Sequence, residues 1–343
     1  MRNFLLHTAF RIERIEAPPI RRHRMKPVLG MLLALAVGLP VPALAQGYPS
    51  RPVKIVVGFT PGGGVDINAR LLASKLSDLL GQQVVVENKP GAGTNIANEF
   101  VARSAPDGYT LLMNTPAVAI NMSLYKSPGF DTLRDFTGVS VFSSSPNILV
   151  VNAQVPIRTV AELLVQARAA PGKFNYASAG SGSTQHLSGE LFKTLTGTDI
   201  VHVPYKGTAP ALTALISGEV QLSYANIPAI NAYVKSGRLR PLATTGAKRA
   251  ELMPEVPTLK ESGVAMDVVV WYGLLAPSAT PPEVVARLAG AVAKAAHSPD
   301  IRQKLIEQGA EPMGNTPEEF ARLLKQEVAT WAAVVKASGA KAN

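Results

Sequence analysis

Two hydrophobic periods alternate along this 343-residue chain. Short continuous apolar runs at 53–58 (VKIVVG), 84–87 (VVVE) and 109–114 (YTLLMN) read as buried strands. Between the first two, Ile67, Leu71, Leu72, Leu76, Leu79 and Leu80 recur at helical spacing, so a helix is predicted over 66–80, closed by Gly81. A second helix is predicted near 94–103. Such a β-α-β-α-β series predicts a parallel sheet with helices on both faces.

The pattern then restarts. A strand is predicted at 147–151, and Thr159 with Glu162 three residues on predicts a capped helix start. A strand at 174–177 leads into the run Gly180, Ser181, Gly182, Ser183 and a helix over 184–195. Further strands are expected at 200–203, 220–224 and 239–244 with helices between them, and an apolar run at 268–275. Helices at 282–296, 301–308 and 317–338 complete the chain. No fixed-period repeat, heptad run or low-complexity linker interrupts it. The expectation is an α/β protein of two lobes without a flexible tether, each lobe a mainly parallel sheet flanked by helices.

Composition supports an ordered protein, with 47% hydrophobic and 17% charged residues. The length favours two domains over one core. The chain contains no cysteine, which excludes disulfides, a zinc ribbon, an iron–sulfur site and a cysteine nucleophile. A formal charge of +10 first suggests a nucleic-acid or membrane-surface binder. However, seven basic and two acidic residues lie within 1–26, ahead of an uncharged stretch from Pro27 to Ala45. Residues 1–45 therefore read as a signal peptide, with an apolar core at 28–39 and a cut after Ala43, Leu44 and Ala45, before Gln46. Pro40 and Pro42 interrupt the apolar run short of the roughly 20 residues of a membrane helix. The leader exceeds the usual length of roughly 15–30 residues. Met25 followed by Lys26 is thus a second candidate start, and Arg21 with Arg22 partly matches a twin-arginine signal. Without the leader the charge is +5, spread along the chain, and no nucleic-acid partner is expected.

Two glycine-rich turns precede helix starts. Phe59, Pro61, Gly62, Gly63, Gly64 and Asp66 form the first, with Asp66 expected as the helix N-cap. Ser181, Ser183, Thr184 and His186 belong to the second. At each, free main-chain N–H groups would face an anion; a plain tight turn is the alternative reading. Phosphate-loop and dinucleotide motifs fail, because neither turn continues with the required lysine or third glycine. Serine hydrolysis by Ser181 or Ser183 with His186 is a rival, but Gly-x-Ser-x-Gly is absent. His186, His202 and His297 are far apart in sequence, so no metal site or other cofactor is expected, and no catalytic residue is assigned. Lys206 is a candidate anion partner or a solvated loop lysine. Trp271 and Tyr272 are either pocket wall or core.

Several motifs at matching spacing carry a family resemblance over essentially the whole chain after the leader. They are Phe59, Pro61, Gly62, Gly63 and Asp66; Asn88 and Pro90 to Gly93; Pro106 to Thr110; Pro204, Tyr205 and Gly207; Pro257 and Thr258; Glu261 and Gly263; and Trp271, Gly273, Leu274, Ala276 and Pro277. The chain resembles the substrate-binding proteins of tripartite tricarboxylate transporters, the TctC or Bug type. That resemblance implies a periplasmic two-lobe clamshell, similar to type II binding proteins, with lobe 1 at 47–145 plus 268–343 and lobe 2 at 146–267. It implies a monomer that binds a small organic anion, a carboxylate above all, and delivers it to the membrane components of the transporter. Phe59 to Asp66, Thr115, Ala117 and Ser181 to His186 are the implied ligand contacts. A sensory receptor serving a membrane kinase is the alternative role. Ala225 stands where relatives often carry an acidic or hydroxyl residue, and Gln221 where Asp is frequent, so one polar contact is missing if that strand end faces the cleft.

Overall fold

The computed structural model describes residues 47–342, so the leader, its cut and the alternative start lie outside the described residues. Strands β1 (Val53–Val57), β2 (Val84–Asn88) and β3 (Thr110–Asn114) alternate with helices α1 (Gly64–Leu80) and α2 (Asn95–Ala102). Next come α3 (Ala117–Leu124), α4 (Thr132–Asp135), β4 (Phe136–Asn152), α5 (Val160–Ala169), β5 (Phe174–Ser178) and α6 (Thr184–Thr196). Then follow β6 (Ile200–Pro204), α7 (Thr208–Ser217), β7 (Leu222–Asn226), α8 (Ile227–Lys235) and β8 (Leu239–Thr244). The chain ends with β9 (Val269–Pro277), α9 (Pro282–His297), α10 (Pro299–Glu307), β10 (Glu311–Pro312) and α11 (Pro317–Ser338).

The strands join in the order β2-β1-β3-β9-β4-β7-β5-β6, with β8 and β10 also pairing β4. Parallel ladders join β1 with β2 and β3, and β5 with β6 and β7. Between these groups β9 and β4 run antiparallel to each other and to their outer neighbours, so each half of the sheet is mixed. The 17-residue β4 belongs to both halves. It pairs β9 as far as Pro146 opposite Val269, then pairs β7 from Asn147 opposite Asn226. Proline has no N–H to donate, so it sits where one ladder is exchanged for the next.

Local chemistry explains the helix ends. Of the periodic residues of α1, Leu72, Leu76 and Leu80 are buried together with Ala69, Leu71 is half-buried and Ile67 and Leu79 are exposed, and left-handed Gly81 stops the helix. The side chain of Thr316 accepts from the Glu319 N–H and the Glu319 carboxylate reaches back, a reciprocal cap that starts α11. Thr159 caps α5 as expected, but the Glu162 carboxylate bonds to the N–H of Arg158, one residue earlier than the reciprocal pattern. Four apolar clusters bury the two sides of the two sheet halves. Along α11, Phe320 and Leu324 enter the cluster of β3 and β9, whereas Trp331, Val334 and Val335 enter that of β5 and β7.

Candidate functional site

Asp66 does not cap α1. The N-cap is Gly63, whose backbone is extended and which has no side chain to offer, and Asp66 lies three residues inside the helix. From there one carboxylate oxygen accepts from Gly62 N–H and Arg70 Nε, each at 2.9 Å, and the other from Asn88 Nδ2 at 2.9 Å. Burial opposes its charge, but the hydrogen bonds from Arg70, Gly62 and Asn88 outweigh that and hold the carboxyl below its usual range. Asp66 thus fixes the turn from beneath. The helical ladder begins only at Ile67 N–H to Gly63 carbonyl (3.0 Å), leaving the amides of Gly64 and Val65 to face outward.

The second turn is built the same way. Ser183 is the N-cap of α6, its hydroxyl accepting from His186 N–H (3.2 Å) and donating to Gly180 carbonyl (2.7 Å). Gln185 accepts from Ala179 N–H at 2.7 Å. The His186 ring is turned inward, where Nδ1 accepts from Gly182 N–H (3.2 Å) and the ring stacks on His202 at 3.9 Å. His202 in turn shares a 2.7 Å hydrogen bond with Ser178 Oγ. Ser183 therefore meets His186 through the main chain and not through the imidazole, which is the geometry of a cap and not of a nucleophile with its base.

Five helix starts meet in one place. A cavity of about 70 Å³ is lined by Gly63, Gly64 and Val65 of α1, Thr115 ahead of α3, Ser183, Thr184 and Gln185 of α6, Gly207 and Thr208 of α7, and the α8 N-cap Asn226. Asn147, Val270 and Tyr272 on β4 and β9, together with Phe59, Thr60 and Ala179, complete it. None of these side chains is charged. Asn226 makes no capping bond with its side chain. Its Oδ1, and Nδ2 of its cross-strand partner Asn147, are buried without a partner. The Asn147 residue is only 2% exposed. An unpaired buried amide is costly, so two of them on one cavity wall mark a surface shaped for something polar. Helix N-termini add partial positive charge without a counter-ion.

Phe59, Gly63, Gly64, Thr115, Ser183 and Thr184 are thus brought together around this inner cavity. A second space of about 580 Å³ adjoins it, sharing Phe59, Thr60, Ala179, Ser183 and Gly207, with Ser181 and Ala117 in its wall. Pro61, Gly62, Asp66 and His186 line neither cavity. Sequence reasoning missed Asn147, Thr208 and Asn226, and its Ser181 to His186 range included Gln185. A signal for Asn226 existed, since Asn before Ile227 and Pro228 is a helix-start pattern. Ala225 faces the core beside Ile227 and Ile230, and Asn226 supplies the polar group instead. Gln221 accepts from Asn175 N–H (2.9 Å) at the strand edge. Trp271 packs edge-on against Phe320 in the core, and its neighbour Tyr272 walls the cavity. Among the described residues no group of three or more His, Asp or Glu could hold a metal ion, and no helix is long and apolar enough to cross a membrane.

The stacked histidines set a pH dependence. Burial pushes His186 down to about 4, with Glu190 opposing and Lys193 adding to the effect. Burial, then His186 and Lys193, push His202 down to about 3. Both rings are neutral when folded, whereas in the unfolded chain each titrates near the ordinary 6.5. The unfolded state binds more protons below that value, so the stability is complete above about pH 6.5 and is lost as pH falls toward 4. One pH unit in this window is worth about 1.4 kcal/mol per ring, so pH 5 is expected to cost about 2 kcal/mol for each relative to pH 7. Denaturant titrations at the two pH values check this; equal midpoints would contradict it.

Comparison with known proteins places this geometry. The profile of the tripartite tricarboxylate transporter family receptors matches residues 68–340. The protein BugT of Bordetella pertussis is 37% identical over 321 residues, 93% of this chain and 98% of BugT. Among solved structures, R. palustris Rpa4515 with adipate shares 41% identity at a TM-score of 0.81, covering 86% of this chain and all 100% of that one. MatC from Rhodopseudomonas palustris with bound malate shares 32% identity at a TM-score of 0.78, covering 84% of this chain and 100% of that one.

Proposed function

Since the chain belongs to the tripartite tricarboxylate transporter receptor family, a family of periplasmic solute receptors, we propose that its inner cavity seats the carboxylate of a small organic acid. The observation that carries this reading is the convergence of five helix starts and the unpartnered Asn147 Nδ2 donor on a cavity without a charged side chain. A carboxylate there exchanges water for fixed N–H donors, and the helix ends balance its charge. The adipate and malate of the related structures support the ligand class.

The two sheet halves act as lobes, about 47–145 with 268–343 and 146–267, hinged where β4 and the segment just ahead of β9 cross between them, and closing on the ligand. Both walls of the cavity come from one chain, so a monomer suffices. The receptor is exported to the periplasm after the cut at Ala45 and hands its ligand to the membrane components of the transporter. Intact-mass measurement of the exported protein is expected to begin at Gln46; a distant start contradicts the cleavage site. No covalent step is assigned to it.

The test is thermal unfolding of protein stripped of copurified ligand, against millimolar mono- and dicarboxylates. A ligand at 100 times its Kd adds about 2.7 kcal/mol, which raises the melting temperature by several degrees. No shift from any acid of the panel would overturn the carboxylate reading.

A further inference from the structure

The two sheet halves touch across the cleft. A Cβ at Gly64 would lie 3.0 Å from Asn226 Nδ2, and one at Gly207 would lie 3.4 Å from Thr60 Oγ1. Both pairs join the proposed lobes across the inner cavity, so this conformation is the closed one. The crossing strands are not the only path between the lobes. Helix α11 is another, with Phe320 and Leu324 held in the cluster of β3 and β9, and Trp331, Val334 and Val335 in that of β5 and β7. A hydrogen-bonded helix does not stretch, so sliding between the two clusters falls on the turn between Leu324 and Trp331.

Glu327 stands in that turn, half-buried, and forms no salt bridge among the described residues. Its carboxylate accepts from the indole N–H of Trp331, one turn along the helix. A second indole approaches from β9. Burial raises the Glu327 carboxyl above its usual range, and the N–H groups of Trp331 and then Trp271 oppose that rise. Trp271 Nε1 nevertheless completes no hydrogen bond, although the residue is only 2% exposed. Buried indole N–H groups ordinarily find an acceptor. An orphaned donor beside a carboxylate, on the one turn where the lobes must slide, marks a bond that the closed form withholds.

We propose that Trp271 and Glu327 form a spring that holds the empty receptor open: the Trp271 N–H donates to the Glu327 carboxylate when the lobes part and loses that bond when they close. This rests on the two-lobe hinge reading above. Both are positioning residues, since neither lines the inner cavity and each acts through the angle between the lobes. A ligand must then offset one buried hydrogen bond, so its affinity is lower than its contacts in the cleft alone would give.

Small-angle scattering of ligand-stripped protein, beside calorimetry with adipate and with malate, tests this on wild type, Trp271→Phe, Glu327→Leu and Glu327→Gln. Empty wild type is expected to be open, with a larger radius of gyration than this structure. Trp271→Phe keeps a ring against Phe320. This variant and Glu327→Leu should each shift the empty protein toward the closed form and bind either acid about tenfold tighter, the scale of one hydrogen bond to a charged group. Glu327→Gln retains an acceptor and should stay near wild type. A purely structural role for either side chain predicts the reverse, weaker binding without compaction. Variants that scatter and bind like wild type, while an acid still compacts wild type, overturn the spring and leave the hinge standing. Empty wild type that already scatters as the closed form also overturns the spring. Wild type that stays open with an acid bound overturns the hinge reading and the spring together. If neither acid binds, the scattering of the empty variants decides alone.

Discussion

Replacing Gly64 with valine is expected to weaken carboxylate binding at least a hundredfold while the protein remains folded. A Cβ at this position would lie 2.9 Å from Tyr272 Oη and 3.0 Å from Asn226 Nδ2, inside a cavity of about 70 Å³. The added methyls therefore occupy the space of the ligand's head group and push the Asn226 amide aside. Gly64 is the first residue of α1 and is not among the residues with positive φ, so its backbone tolerates a side chain. A hundredfold loss corresponds to about 2.7 kcal/mol, on the scale of losing a buried charge-assisted contact. Gly64→Ala should show the smaller, graded version. Calorimetry beside circular dichroism decides the matter: a folded valine variant with wild-type affinity would place the ligand elsewhere.

The second large effect has opposite signs in the two states of the protein. Asn147→Leu should cut affinity by more than tenfold and leave the ligand-free protein as stable as wild type or more so. Asn147 Nδ2 is buried and unpartnered, and such a donor costs about 1–3 kcal/mol that a bound acceptor would relieve. The main chain of Asn147 is held independently, by Thr245 Oγ1 at 3.0 Å and by the register with Asn226, so the strand survives the exchange. Melting curves with and without ligand read both halves of the prediction. A variant that is destabilised when empty yet binds normally would mean that Asn147 serves the fold and not the ligand.

The order of strands and helices was legible in the chain because most elements present one periodic face. Gly81 and the Thr159–Glu162 pair marked helix ends chemically. The first half of β4 was not legible. Register shifts near Gly138 and Val141 break its alternation, and Ser143, Ser144 and Ser145 resemble a loop. Helix α3 was hidden for a different reason: Ala117, Val118, Ala119 and Ile120 are all buried, so no polar face sets a period.

The same limit applied to the site. The glycine turns announced themselves, and at Gly64, though not at Gly63, a side chain would meet a close approach, since a Cβ there would lie 2.9 Å from Tyr272 Oη. The pairing of Asn147 with Asn226 depends on a register between strands distant in sequence, which no local pattern encodes. His186 sits beside three hydroxyl residues in sequence, yet helix geometry turns its ring to the buried side against His202. His186 consequently supports the wall from behind, whereas Ser183 caps the helix that forms it and lines the cavity.

The central claim is that one carboxylate is held by helix starts and asparagine amides alone, and a crystal structure with a bound dicarboxylate tests it most directly. One carboxylate group should lie in the inner cavity, with its oxygens within hydrogen-bond distance of main-chain N–H groups of α1 and α6 and of the Asn147 side chain. No Lys or Arg should touch that group. A ligand bound outside this cavity, or a carboxylate held there by an ion pair, would contradict the account.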